Sequence, residues 1–238
     1  KVDIVIGTHR LIQRDIQFKD LGLVVIDDEQ KFGVGHKEKF KRFRKEIDVL
    51  TLSATPIPRT LYMALSSIRD MSTINTPPNS RQSVQTFVSE YSDEVVRDAI
   101  FRELDRDGQV FFLYNRVSGI EKWVGRIREL VPQARVGVAH GRMQENDLAS
   151  VIDDFSSGEI DVLVCTTIIE AGLDLPNANT IIVYRPELLG LAQMYQLRGR
   201  VGRSPVKAFA HFLLSEGKAL NDVADQRLKA IIAYQELG

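Results

Sequence analysis

Short apolar runs alternate with amphipathic stretches along this chain. Apolar runs of the kind found in strands occupy residues 2–6, 21–26, 48–52, 84–88, 109–113, 135–139, 161–165, 180–184 and 208–214. Helical spacing of apolar positions marks residues 57–67, 93–105, 119–130, 145–156, 188–197 and 219–235. This alternation predicts βαβ units on a mostly parallel sheet, and therefore an α/β fold.

A polar stretch with adjacent prolines interrupts the alternation and suits an extended linker. We therefore predict a first domain over residues 1–76, a linker over 77–83, a second domain over 84–214 and a helical segment over 215–238. The second domain has a full set of alternating strands and helices. The first domain is expected to lack strands on its N-terminal side.

The composition is that of a protein that folds in water around buried cores. Apolar residues make up 44% of the 238 residues, and no run approaches the roughly 20 apolar residues of a membrane-spanning helix. We expect a soluble, cytoplasmic protein without membrane contact. The lone Cys165 is expected in the core, and four scattered histidines predict no zinc site.

The net charge of −1 argues against a globally basic nucleic-acid-binding protein, so any such binding must rely on local patches. The densest patch has six lysines and arginines within residues 37–45. On a helix these side chains would spread over several faces. A solvated helix therefore explains the patch better than a DNA contact does.

Candidate chemistry appears first in residues 193–203, where three arginines lie within six residues and two glycines separate them. Arginine presents a rigid fork of donors that matches phosphate oxygens, and glycine permits a tight turn close to a ligand. Arg200 and Arg203 are therefore candidate arginine fingers for a polyphosphate. A solvated or nucleic-acid-binding surface is the alternative interpretation.

Three further segments run from a predicted strand into polar residues. Within residues 23–30, an apolar run is followed by three carboxylates at positions 27–29. Such carboxylates can hold Mg²⁺ and orient an attacking water beyond the carboxyl end of a strand. An acidic helix N-cap explains them equally well. Residues 50–60 and 162–176 bring small hydroxyl residues to strand ends. These either cap a helix or line a nucleotide site.

Together and in this order, the segments resemble the motifs of superfamily 2 nucleic-acid motors. The matching stretches are residues 7–10 for motif Ib, 27–30 for motif II, 53–55 for motif III, 166–174 for motif V and 196–203 for motif VI. Over essentially its whole length the chain is similar to the RecG and transcription-repair coupling factor families. The stretches that favour the coupling factors are residues 36–38, 76–78, 114–117 and 227–238.

The resemblance implies two RecA-like lobes with parallel sheets, the first incomplete at its N-terminus, followed by the start of a helical translocation-motif region. It implies hydrolysis of ATP with Mg²⁺ and movement along double-stranded DNA. It also implies that RNA polymerase and excision-repair proteins are partners of a longer protein, through domains outside this chain.

The resemblance further assigns roles to individual residues. Those implied in catalysis are Asp27, Asp28, Gln30, Gln196, Arg200 and Arg203. Those implied in binding ATP are Asp27, Ser53, Thr55, Gly172, Asp174, Arg200 and Arg203, with Asp27 holding Mg²⁺ directly or through water. Those implied in contacting the DNA backbone are Thr8, His9, Arg10, Arg59, Thr166 and Thr167.

Two departures from the family pattern bear on activity. The sequence contains no glycine-rich phosphate loop ending in Gly-Lys-Thr, so this chain alone is expected to be inactive. Asp28 stands where the family has glutamate, and retraction of its carboxylate by roughly 1.5 Å can cost on the order of 10²-fold in rate. These two departures keep open a non-catalytic DNA- or protein-binding scaffold, and the motifs shared with RecG keep open RecG-like fork remodelling.

Overall fold

The chain, as seen in a computed structural model, divides into two units, Lys1–Thr73 and Ile74–Gly238. The described residues are 2–13, 15–28, 32–33, 35–36, 38–40, 43, 47–53, 72, 74, 83–168, 175, 177–217 and 220–233. The predicted helix 57–67 lies outside them, as does the predicted linker 77–83 except for its last residue. The predicted domain boundaries therefore stay a prediction.

In the first unit, two parallel strands carry the acidic segment. Strand β1, Leu23–Asp27, pairs with strand β2, Asp48–Leu52, along its whole length. A short 3₁₀ helix, His9–Ile12, precedes them in the chain. The side chains of Ile26 and Phe40 are buried, at 3% and 2% exposure.

Residues 2–6 do not form the strand that their apolar character predicts. Val2, Ile4 and Ile6 are 75%, 80% and 94% exposed, and this stretch has no strand geometry. A strand needs a neighbour that completes its backbone hydrogen bonds. Among the described residues of this unit, β1 and β2 pair only with each other, so residues 2–6 have no such neighbour.

The second unit is built on a parallel sheet of six strands among its described residues. They are β3, Gln85–Glu90; β4, Gln109–Tyr114; β5, Val136–Ala139; β6, Val162–Cys165; β7, Ala178–Tyr184; and β8, Phe209–Leu214. Their spatial order is β3-β8-β7-β4-β6-β5, and every neighbouring pair is parallel. The predicted α/β fold is confirmed, with strand ends within two residues of their predicted positions.

Helices cover both faces of this sheet. They are α1, Asp93–Leu104; α2, Ile120–Leu130; α3, Glu145–Ser156; α4, Leu191–Arg198; and α5, Asp222–Ala233. Helices α1 and α2 contribute to the apolar core on one face, and α3, α4 and α5 to the core on the other. Burial on both faces explains why the strands read as continuous apolar runs.

Helix α4 begins later than the apolar pattern predicts, at Leu191 rather than at residue 188. Pro186–Leu188 forms a separate 3₁₀ helix, and the residue before it, Arg185, has a left-handed backbone with a φ of 62°. Gly190 is extended and caps α4. Proline removes a backbone donor, and glycine is a poor helix residue. The chain therefore turns twice before α4 starts.

His211, on β8, predicts a pH dependence of stability. It is buried and stacks on Phe87, with 5.0 Å between ring centroids. Burial, helped by Arg102, lowers the pKa of His211 from 6.5 to about 4. The unfolded chain therefore binds an extra proton between these values. The free energy of unfolding should decrease as pH falls from 6.5 towards 4, and this contribution should level off below that.

The size of this loss follows from the shift in pKa. At about 1.4 kcal/mol per pKa unit, His211 should account for a decrease on the order of 3 kcal/mol, measured by urea unfolding across the pH series. His211→Phe should flatten this part of the profile, whereas His140→Phe, at a half-buried position, serves as the control. A profile unchanged in His211→Phe would contradict the prediction.

Candidate nucleotide and nucleic-acid site

The carboxyl ends of β1 and β2 bring the acidic segment next to Ser53. These strands are parallel neighbours, so Asp27, which ends β1, and Ser53, which follows β2, lie at the same edge. The backbone N–H of Asp28 donates to the carbonyl oxygen of Leu52 at 3.1 Å. Asp27 and Ser53 are exposed, and their oxygens are ligands of the kind that Mg²⁺ prefers, directly or through water.

The backbone at Asp28 is unusual and bears on the departure from the family pattern. Its φ is 51°, in the left-handed region that aspartate and asparagine enter more readily than longer side chains. The side chain is half-buried. The backbone conformation at this position therefore suits an aspartate better than a glutamate.

The candidate DNA contacts at the start of the first unit lie on and beside the 3₁₀ helix. Thr8 is its N-cap residue, and the His9 ring packs on Phe32 with 4.2 Å between centroids. Arg10 donates two hydrogen bonds to Asp15, at 2.6 and 2.5 Å. These hydrogen bonds raise the pKa of Arg10 and lower that of Asp15. To contact DNA, Arg10 must exchange this exposed carboxylate for a phosphate.

Several predicted site residues lie outside the described part of the chain, and their roles stay predictions: Gln30, Thr55, Arg59, Gly172 and Asp174. Of the basic patch within residues 37–45, Lys39 is described. Its Nζ donates to the carbonyl oxygens of Ile12 and Gln13, at 3.1 and 3.4 Å. Lys39 thus ties its own segment to the 3₁₀ helix.

In the second unit, three neighbouring strands end in polar residues at one edge of the sheet. Strand β6 lies between β4 and β5, and all three are parallel. Thr166 and Thr167 follow β6, Asn115 and Arg116 follow β4, and Arg142 follows β5. We call these five residues the polar edge. It brings hydroxyl, amide and guanidinium groups together where ligands of parallel sheets bind.

Arg116 and Arg142 are the candidates that the sequence analysis missed. Both are exposed, and neither guanidinium has a hydrogen-bond or ion-pair partner within the described ranges. The N–H of Thr166 donates to the carbonyl oxygen of Ala139 at 3.2 Å, and that of Arg142 to His140 Nδ1 at 3.3 Å. A signal was available, because each arginine stands three residues after a predicted strand.

The three arginines of residues 196–203 differ in burial. Gln196 is half-buried on α4, Arg200 is half-buried in the turn that follows, and Arg203 is exposed. Gly202 has a φ of 74°, a left-handed conformation in which glycine is unstrained. Arg198 is fully buried, with 0% exposure. Arg200 and Arg203 can therefore reach a ligand, whereas Arg198 serves the fold.

Arg198 joins α4 to α5. Its Nη1 donates to the carbonyl oxygen of Ile231 at 3.1 Å, and its guanidinium lies 4.8 Å from the centroid of the Tyr195 ring. The Tyr195 hydroxyl donates to the carbonyl oxygen of Ala230 at 3.4 Å. A buried guanidinium is tolerated only where acceptors meet its N–H groups. The carbonyl oxygen of Ile231, near the end of α5, is one of these acceptors, so this hydrogen bond holds α5 against α4.

Comparison with known proteins agrees with this architecture. The family model of the helicase conserved C-terminal domain matches residues 92–205. The transcription-repair-coupling factors of Bacillus subtilis and Escherichia coli K12 are 57% and 55% identical over 237 and 238 residues, which is 100% of this chain. The resemblance to the coupling-factor family is confirmed. The chain spans 20% and 21% of the length of these two coupling factors.

A solved structure of RecG bound to a three-way DNA junction has the same fold. It aligns with a TM-score of 0.73 at 35% identity, over 98% of this chain and 31% of that one. The six-stranded parallel sheet is that of a RecA-like C-terminal helicase lobe. Among the described helices, none is long and apolar enough to cross a membrane.

The contacts of Arg198 predict that it contributes to stability more than its neighbours in the motif do. Arg198→Met should lower the free energy of unfolding by about 1.5–3 kcal/mol, because a buried hydrogen bond from a charged donor is lost. Arg203→Met removes the same charge at an exposed position and should change it by about 0.5 kcal/mol or less. Urea unfolding of both variants checks this, and equal losses would contradict it.

Proposed function

We propose that this chain is the motor segment of an ATP-dependent translocase that moves along double-stranded DNA, removes stalled RNA polymerase and couples transcription to excision repair. The observation that carries the proposal is identity of 55–57%, over the whole chain, to proteins named transcription-repair-coupling factor. Identity to RecG is 35%, which favours this function over fork remodelling. The contacts with RNA polymerase and repair proteins are proposed for the longer protein.

The polar edge supports a contact with the DNA backbone. Arg116 and Arg142 offer exposed guanidinium groups, and the half-buried Thr167 adds a hydroxyl group at the same edge, whereas Thr166 is buried, with 8% exposure. Contacts of this kind position a protein on phosphates and carry no sequence information. They suit a motor that must move along any sequence. Because the net charge is −1, binding depends on such a local arrangement.

The strand ends of the first unit support a role in nucleotide hydrolysis. ATP with Mg²⁺ would supply the phosphoanhydride bond whose cleavage drives movement. Asp27 and Ser53 offer oxygen ligands suited to the metal ion, and Asp28 would orient the attacking water. Arg200 and Arg203 would neutralise charge on the phosphates. The sequence contains no phosphate loop, so the test requires a chain extended upstream.

The polar edge makes a prediction for DNA binding by this chain. Arg116→Ala and Arg142→Ala should each weaken binding of a labelled duplex to a similar degree for unrelated sequences. Each should also reduce the slope of log affinity against log salt by about one. Fluorescence anisotropy across a salt series measures both quantities.

The matched control for these variants is Arg97→Ala on α1. Arg97 is also exposed, but it is hydrogen-bonded to Asp98 at 3.3 Å and is not part of the polar edge. Its replacement should leave the salt slope unchanged. A loss of affinity equal to that of Arg116→Ala would show general charge attraction rather than a contact at the polar edge.

Asp28 makes a prediction for catalysis in a version extended upstream through a phosphate loop. That version should hydrolyse ATP faster when double-stranded DNA is present. Asp28→Glu should raise kcat by up to about 10²-fold, because the longer side chain restores the reach of the carboxylate, although glutamate enters the left-handed backbone of this position less readily than aspartate does. Asp28→Asn fits the same left-handed backbone but cannot accept a proton, and it should lower kcat.

Two outcomes would count against the motor proposal. Arg200→Ala should reduce kcat on the order of 10³-fold or more if Arg200 is an arginine finger, so an unchanged rate removes that role. If the extended chain neither binds nor hydrolyses ATP while Arg116 and Arg142 still bind DNA, the chain is a DNA-binding scaffold.

A further inference from the structure

Four half-buried aromatic side chains form a rim at the carboxyl ends of β3, β4 and β7. This aromatic rim consists of Tyr91, Tyr114, Trp123 and Tyr184. Tyr114 and Tyr184 are direct partners in the register of β4 and β7. The Trp123 ring, from α2, lies 4.5 Å from Tyr184, 5.9 Å from Tyr114 and 5.2 Å from Tyr91 between centroids. The four rings therefore form one contiguous aromatic cluster, in which neighbouring rings are tilted or edge-on to one another.

The rim is held in place by its surroundings. The hydroxyl of Tyr91 donates to Asp93 Oδ1 at 2.5 Å, and Arg126 Nε donates to the same oxygen at 3.2 Å. Arg126 therefore neutralises the carboxylate beside the rim. Behind the rim, the fully buried Phe112 packs on Trp123 at 5.0 Å between centroids. The rings are thus positioned before any partner arrives.

Packing against the core does not account for the whole arrangement. The rings contact the apolar cluster between the sheet and helices α1 and α2. The hydroxyls of Tyr114 and Tyr184 and the Trp123 Nε1 have no hydrogen-bond partner among the described residues, yet none of them is a buried unsatisfied atom. Their polar tips therefore face water. Aromatic groups with one apolar and one wet end are enriched at binding surfaces.

The charge beside the rim indicates what it binds. Arg116 stands two residues after Tyr114, and its backbone N–H donates to the Tyr114 carbonyl oxygen at 2.7 Å. Its exposed guanidinium is available to an anion. On the other strand, Arg185 follows Tyr184 and pairs with Glu187 at 3.2 Å. Aromatic rings flanked by an available arginine match the combination that binds single-stranded nucleic acids, in which bases stack and phosphates meet cations.

We propose that the aromatic rim stacks an unpaired nucleobase while Arg116 holds a neighbouring phosphate. A base inside a duplex presents only its edges to a protein, so the occupant is a single-stranded segment of nucleic acid. The proposal rests on the proposed function, because the polar edge that includes Arg116 brings DNA to this side of the sheet. The motor segment then binds most tightly where a duplex meets an unpaired strand.

Trp123 allows a direct test, since it is the only tryptophan among the 238 residues. The chain is titrated with an oligothymidylate of about ten nucleotides, within the usual range of single-strand site sizes. A second titration uses an abasic oligonucleotide of the same length, which carries the same phosphates without bases. Trp123 fluorescence should be quenched by the oligothymidylate and little changed by the abasic strand. The oligothymidylate should also bind on the order of tenfold more tightly.

Two variants separate stacking from general affinity. Tyr184→Leu keeps an apolar side chain but removes the ring, and it should weaken oligothymidylate binding on the order of tenfold. Phe87→Leu removes a more exposed ring, at 38% exposure, from β3 outside the rim, and it should have no effect. If Tyr184→Leu fails to fold, Tyr114→Leu provides the same comparison.

The outcomes distinguish this proposal from the proposed function. Equal affinity for both oligonucleotides, or binding without quenching of Trp123, overturns the rim proposal. If a labelled duplex still binds through Arg116 and Arg142 in that case, the proposed function is retained and only the rim proposal is rejected. If neither single strand nor duplex binds, both proposals fail. Selective quenching that Tyr184→Leu weakens supports the rim as a base-stacking site.

Discussion

The parallel alignment of β4, β6 and β5 is the constraint on which the candidate DNA contact depends. Parallel neighbours end at the same edge, so Arg116, Arg142 and Thr166 meet there although they are far apart in the chain. One antiparallel strand would send its terminal residues to the opposite edge. The alignment is secured by the apolar cores on both faces of the sheet. The hydrophobic effect therefore positions the polar groups.

The burial of Arg198 shows how helix geometry divides one arginine-rich motif between structure and binding. Arg198 lies four residues after Met194 and one after Leu197, both of them buried on α4, so the helical repeat turns it towards the core. Arg200 and Arg203 lie beyond the end of α4, so the helical repeat does not turn them towards the core. Burying the Arg198 guanidinium is costly. It is tolerated because the carbonyl oxygen of Ile231 accepts a hydrogen bond from it and the Tyr195 ring packs against it.

The strands and helices of the second unit were predictable because burial on both faces leaves a strong apolar pattern in each strand. Residues 2–6 carry an apolar pattern too, but a strand also needs a neighbour, which local sequence does not reveal. Pro186 and Gly190 are local signals that should have moved the predicted start of α4. Arg116 and Arg142 each stand three residues after a predicted strand, which is a local signal, but their proposed joint role also required the strand order that places β4 and β5 on either side of β6.

The aromatic rim depends on strand order even more strongly, because Tyr114 and Tyr184 are partners only through the pairing of β4 with β7. If these positions served the core alone, fully buried aliphatic side chains would gain more, at about 25 cal/mol for each Å² of apolar surface removed from water. Tyrosine and tryptophan instead keep their polar tips in water while their faces pack together. That arrangement yields some burial energy and keeps a cluster of mutually tilted, polarisable rings beside Arg116. A binding role accounts for both features, whereas packing accounts only for the buried half of each ring.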